Sequence, residues 1–250
     1  ARPRPGVPRV SAPAELAEGA PPAAEGAPSP VGLLFAPDRT MERHAKVGRV
    51  RWLFVFAWLC SMILGATLAY RIDARSSTLR KLDQGGQLQT MSDRQIADET
   101  RNAERVAQVG NIAKGVVATP IDLAGASLAV LGLAWFLRGR IKGSAVVPVA
   151  AAALLPGALA KLLDTAAAYS HTLIPPEGVD LSPRSLGALL ALFGHPLGGP
   201  WLKLGGALDL FSLWSALILG FGVAAVGQLP KKSALAATLV AWVCYQLLTR

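Results

Sequence analysis

Apolar residues gather in five runs: residues 52–70, 116–137, 145–169, 210–229 and 234–248. Two short basic links and two long polar links separate them. About 20 apolar residues carry a helix across a bilayer core. The first four runs reach that length. The fifth is shorter, and crosses by thinning the bilayer locally or by starting a little earlier. The pattern predicts an all-α fold, an integral membrane bundle of five transmembrane helices. A signal peptide is the competing reading of the first run, given its basic flank. Its apolar stretch is too long for that, and four more runs follow.

The links carry their own pattern. Residues 71–115 mix charges with helix formers and break at Gly85 and Gly86. Ser92 followed by Gln95 has the spacing of a capping box, so a helix is expected to open there and lead into the second run. Its apolar positions, Ile96, Ala103, Val106 and Ala107, make a modest stripe: either a solvated helix or a docking surface. Residues 171–208 are rich in Pro and Gly, with one short helix expected near 185–193. Residues 1–40 form an Ala/Pro-rich tail with few bulky side chains. Such a tail cannot bury enough surface to offset its ordering entropy, so disorder is expected, with the membrane domain occupying 41–250. Met41, opening MERHAKVGRVRW, would make a sensible start for that domain; the alternative is a piece of a longer chain.

Charge then orients the runs. Arg43, Lys46, Arg49 and Arg51 precede the first run; Arg138, Arg140 and Lys142 link the second and third; Lys231 and Lys232 link the fourth and fifth. A cytoplasmic N-terminus puts all three clusters on the cytoplasmic side, as the positive-inside rule requires, and five crossings then put the C-terminus outside. Trp52, Tyr70, Trp135 and Tyr169 sit near run ends, where aromatic belts form. The net charge of +9 thus reads as an orientation signal. No basic patch has aromatics interleaved for base stacking, which argues against nucleic acid. The chain is 52% hydrophobic and only 16% charged, against about 25% charged in soluble domains.

Ionisable residues inside such runs are costly and mark candidate sites. On helical wheels Asp209 shares a face with Ser212, Ala216, Gly220 and Ala224. Asp164 lies with Ala153, Gly157, Ala160 and Ala167, and Asp122 with Ala118, Gly125, Ala126 and Ala129. Small residues four apart let helices approach closely in lipid. Asp122, Lys161, Asp164 and Asp209 are therefore the candidate intramembrane polar cluster. The alternative is structural: Lys161 neutralises one acid, and Asp209 merely caps a helix. Ser212, Ala216, Gly220 and Ala224 are the candidate helix-packing seam, with Gly222 on the opposite side and expected to be less sensitive to bulk than Gly220. Pro148 and Pro156 are expected to kink the third run. Cys60 and Cys244 are isolated packers, and His44, His171 and His195 lack metal-ligand spacing. The loose Gly220-x-Gly222-x-x-Ala225 pattern follows no strand, so it is not a dinucleotide loop. No nucleophile–base or metal constellation argues for an enzyme, and no cofactor is implied.

The combination of Asp209, Phe211, Leu213 and Trp214 ahead of the Gly220/Gly222 span resembles the Yip family of Ypt/Rab-interacting-protein-like membrane proteins. Leu155-Pro156 and the segment MSDRQIADETRNAERVAQVGNIAKG resemble its bacterial branch, over about residues 45–250. The resemblance implies a non-enzymatic helical membrane bundle. In eukaryotes it implies vesicle traffic and small-GTPase contact; in bacteria it implies help to membrane complexes, some with ABC-type exporters. The Ala-rich composition favours a bacterial inner membrane, so eukaryotic partners are not carried over. The expected role is an accessory or scaffold subunit of a membrane complex such as an ABC-type exporter or a membrane-trafficking assembly. Its partners would be the lipid bilayer and other membrane proteins. The alternative is a small transporter or channel using the acidic cluster. Against it, the chain shows no internal repeat and its acids lie off the midplane.

Overall fold

The computed structural model describes residues 30–37, 40–41, 51–170, 173–174, 185, 190, 193 and 209–249. The regular elements among them are all helices: α1 (Pro30–Phe35), α2 (Arg51–Arg71), α3 (Ala74–Gln84), α4 (Asp93–Phe136), α5 (Gly143–Ala153), α6 (Leu155–Ser170), α7 (Leu210–Gly227) and α8 (Lys231–Thr249). The expected short helix near 185–193 and most of the loop around it lie outside the described residues, as do His44, His171 and His195 and most of the first basic cluster. So do residues 1–29 of the expected tail. Within that same tail segment α1 is helical, and Leu33 and the neighbouring Met41 are fully buried among Val130, Ala134, Val149 and Val226.

Among the described residues four segments, not five, are long and apolar enough to cross a bilayer: Arg51–Arg71, Asp93–Phe136, Gly143–Ser170 and Leu210–Gly227. This corrects the five-span bundle. The fifth run does form a helix, α8, of 19 residues. It opens on Lys231 and Lys232 and carries Tyr245 and Gln246 near its end, which leaves it less apolar than the other four. It folds back along α7, where Gly220 meets Leu235 and Thr238 and Gln246 Nε2 donates to Ser212 Oγ at 3.1 Å. The side it buries consists of small and polar residues, Ala234, Thr238 and Gln246. An extracytoplasmic C-terminus rested on an odd number of crossings, which a count of four does not supply.

α4 is the longest element. Ser92 and Gln95 form the capping box that opens it, and it runs 44 residues without a break. At about 1.5 Å per residue it is roughly 66 Å long, more than twice the hydrocarbon core. Pro120 lies inside it. A proline has no N–H, so the carbonyl four residues earlier, on Val116, loses its helical partner. Trp58 of α2 supplies the replacement: its indole Nε1 donates to Val116 O at 2.8 Å. In lipid, freed backbone groups are met by neighbouring helices in this way. The two helices run antiparallel and touch at backbone level. A Cβ on Gly65 would come within 2.6 Å of Asn111 O, and one on Gly115 within 2.9 Å of Ser61 O. Glycine is required at both positions by this approach.

The third span is interrupted at Leu154, where α5 ends and α6 begins. Pro156 stands in the first turn of α6, a place that tolerates its ring, and it cannot continue α5. Pro148, expected to kink the span too, sits inside α5 without ending it. The link from α4 to α5 is tied to the end of α7: Arg140 N donates to Gly227 O at 2.9 Å and Lys142 N to Val226 O at 3.2 Å. Two basic clusters, Arg138–Lys142 in sequence terms and Lys231 with Lys232, are thereby gathered at one end of the bundle. The core cluster containing Leu33, Met41, Val130, Val149, Ile218 and Val226 fills that half.

Candidate functional site

The polar candidates lie toward the other end. Lys161 on α6 reaches across to α4, with Nζ 3.4 Å from Asp122 Oδ2, and it also donates to Ser61 Oγ of α2 at 3.3 Å. The Asp122 side chain is 49% exposed and that of Lys161 is 24% exposed. Three helices thus share one ammonium group. Asp209 precedes α7 and caps it: its Oδ1 accepts from Phe211 N at 2.8 Å and Ser212 N at 3.3 Å. Those N–H groups have no helical partner, and a carboxylate satisfies them while complementing the positive end of the helix dipole. The acid at the head of an apolar run is therefore a cap. Ser212 Oγ in turn donates to Asp209 O at 2.9 Å and accepts from Gln246 of α8.

An open cleft of 710 Å³ joins these groups. Asp122, Lys161 and Asp209 line it, with small residues of α4, α6 and α7 below them. Asp164 does not. It is 5% exposed, one turn beyond Lys161 on α6, and the lining ends on α6 at Lys161. The four candidates therefore divide into three around a cleft and one buried in the packing. Along α6, three residues from Lys161 to Asp164 turn the side chain by about 60° on the wheel, enough to take it off the lining.

α8 contributes residues that sequence reasoning missed: Thr238, Trp242 and Tyr245 also line the cleft. The indole N–H of Trp242 is buried and meets no acceptor among the described residues. The available signal was the scatter of polar atoms along an otherwise apolar run. A hydropathy pattern averages such atoms away. The seam residues are divided between two contacts. Gly220 and Ser212 meet α8, while Ala216, itself buried, also lines the cleft. Gly222, expected to be less sensitive to bulk than Gly220, is packed as well: a Cβ there would overlap Val149 of α5. Both sides of α7 are packed.

Other chemistry is sparse. No three His, Cys, Asp or Glu side chains among the described residues gather as a metal site. Cys60 is buried and Cys244 exposed, and both are free thiols. At the far end, Asp73 caps α3 by accepting from Ser76 N at 2.9 Å. Bonds from the Ser76 side chain and main chain hold its carboxyl below the ordinary value.

The Yip1 domain model matches residues 31–249, from Val31 in α1 to the end of α8. No curated protein and no solved structure matches the chain. The family match takes in α1, which the sequence reading had placed in the tail, together with all four spans and the helix folded back on them. By that match the chain belongs to the Yip1 domain family and is a non-enzymatic, all-α, multi-pass membrane protein.

Proposed function

We propose that the chain is an accessory or scaffold subunit of a membrane complex, of the kind an ABC-type exporter or a trafficking assembly uses, in a bacterial inner membrane. Its N-terminus and basic links are cytoplasmic. One observation carries the reading. An exposed apolar stripe runs down one face of α4 through Val106, Val109, Val117, Ile121, Leu128 and Trp135. From Val106 to Trp135 it extends about 44 Å at 1.5 Å per residue, against a hydrocarbon core of about 30 Å. Lipid covers such a stripe from Val117 to Trp135 but not its full length. Val106 and Val109 continue it among Arg101, Glu104 and Arg105, where a protein partner that also spans the membrane would cover them. Mild-detergent purification after photo-crosslinking from position 109 should yield an adduct with a membrane protein. Crosslinks to lipid alone, with no protein adduct from 109 or 106, would refute the reading.

A second reading, a small transporter or channel, draws on the cleft with its Lys161–Asp122 pair. It requires flux through purified protein in liposomes, lowered by Asp122→Asn. The accessory reading expects no flux.

A further inference from the structure

The cleft among α4, α6, α7 and α8 combines three unmet demands. The first is charge. Asp122 and Asp209 line the cleft with one ammonium among the described residues, that of Lys161, which pairs with Asp122, so this lining carries one excess negative charge. Asp209 uses Oδ1 for both cap bonds, which leaves its second oxygen without a hydrogen bond among the described residues. The second is a donor: the buried indole N–H of Trp242 has no acceptor there. Buried donors without partners are rare, and each asks for an explanation. The third is apolar room. A Cβ on Gly125 or Gly157, both on the lining, would meet nothing within 4 Å. The cleft's 710 Å³ falls within the ~300–1,000 Å³ of small-molecule sites. α4 and α8, on two of its sides, touch each other little.

We propose that this cleft binds one membrane phospholipid with a primary ammonium–phosphate head group, of the phosphatidylethanolamine type. The ammonium pairs with Asp209, whose carboxylate Lys161 is not shown to reach. Trp242 Nε1, covered by protein as the cleft stands, turns to donate to a phosphate or ester oxygen. One acyl chain lies along Gly125, Ala129 and Gly157. Three of the four helices around the cleft belong to segments long and apolar enough to cross a bilayer, so the slot lies where such molecules are the solvent. Anionic heads without an amine meet two carboxylates instead. Choline heads carry charge but no N–H to donate. The site does not depend on the accessory reading.

Native mass spectrometry of the purified full chain in mild detergent tests this, with ethanolamine, choline and glycerol phospholipids of matched chains. The ethanolamine lipid should be retained about tenfold better than either other, the scale of one charge-assisted hydrogen bond. Asp209→Asn keeps the cap, because Asn caps as well as Asp, and should bring the three lipids level. Gly125→Leu should empty the cleft of all three with an unchanged melting curve, and Gly157→Leu serves if the first variant misfolds. Equal retention of the three head groups by the wild type would overturn the proposal, and so would wild-type lipid retention in the Asn or Leu variants. Displacement of the lipid by phosphoethanolamine at equal concentration would also overturn it, by showing a soluble head-group ligand.

Discussion

At the residue scale, the most informative bond is the one from Trp58 to the Val116 carbonyl that Pro120 leaves free. It makes a double prediction. Trp58→Phe keeps the ring and removes the donor, so a main-chain acceptor inside the bundle is left unmet, at a cost of about 1–3 kcal/mol. Pro120→Ala returns an N–H to the helix and supplies that acceptor from within α4. In the Pro120→Ala background Trp58→Phe should therefore cost much less. A double-mutant cycle of melting curves in detergent measures the difference; equal losses in the two backgrounds would show that the bond is incidental. Little of this could be read from the sequence, because Trp58 and Val116 are far apart in the chain and only the packed helices bring them together. The cap at Asp209 and the capping box at Ser92 were legible, because both depend on neighbours within three residues.

At the element scale, the runs, their links and the interruption at Pro156 follow from local pattern, while the facing of each helix depends on its neighbours. α7 shows the limit. The wheel groups Ser212, Ala216, Gly220 and Ala224 as one small stripe, of which Gly220 and Ser212 meet α8, but it cannot show Val149 of α5 behind Gly222. Val149 is fully buried and has little space to move into. The Leu235 methyl facing Gly220 is the end of a flexible side chain. Gly222→Leu should therefore destabilise the protein at least as much as Gly220→Leu, each by about 1–3 kcal/mol, as read by thermal melts in detergent. A larger loss at Gly220 would restore the sequence-based order. α3 allows a test by pH. The folded Asp73 carboxyl titrates below its unfolded value of about 3.9, held there by Ser76. The cap's stabilisation is complete above the unfolded value and is lost as pH falls through the folded one. The protection of the Ser76 amide, relative to its intrinsic exchange at each pH, should fall in that acid window and stay constant above it. Unchanged protection through the window, or the same profile in Asp73→Asn, would show that the carboxylate does not hold the cap.

For the whole molecule, the question is which end faces the cytoplasm. The structure gathers two basic clusters at one end through the Arg140–Gly227 and Lys142–Val226 bonds. The cation-poor cleft, with Asp209 at the head of α7, lies toward the other. Aromatic side chains are exposed near both ends of the spans, Trp52 and Trp135 on the basic side, Tyr70 and Tyr169 on the far side. Arg71 stacks over the Tyr169 ring at 5.4 Å, beside the bridge from Ile72 to Ile174 that ties the far-end loops together. Lys and Arg concentrated beside the spans set orientation, so the basic end should be cytoplasmic. The far end, with the start of α4 and its capping box, should then be outside. In a chain with Cys244→Ser, single cysteines at Lys142 and Lys231 should resist a membrane-impermeant maleimide in intact cells and react in inverted vesicles. A cysteine at Arg101 should do the reverse. Labelling of Lys142→Cys from outside would invert the molecule. It would put the cleft on the cytoplasmic leaflet, where the supply of amine-bearing lipid differs. The same three cysteines therefore fix both the orientation and the leaflet from which any lipid in the cleft is drawn.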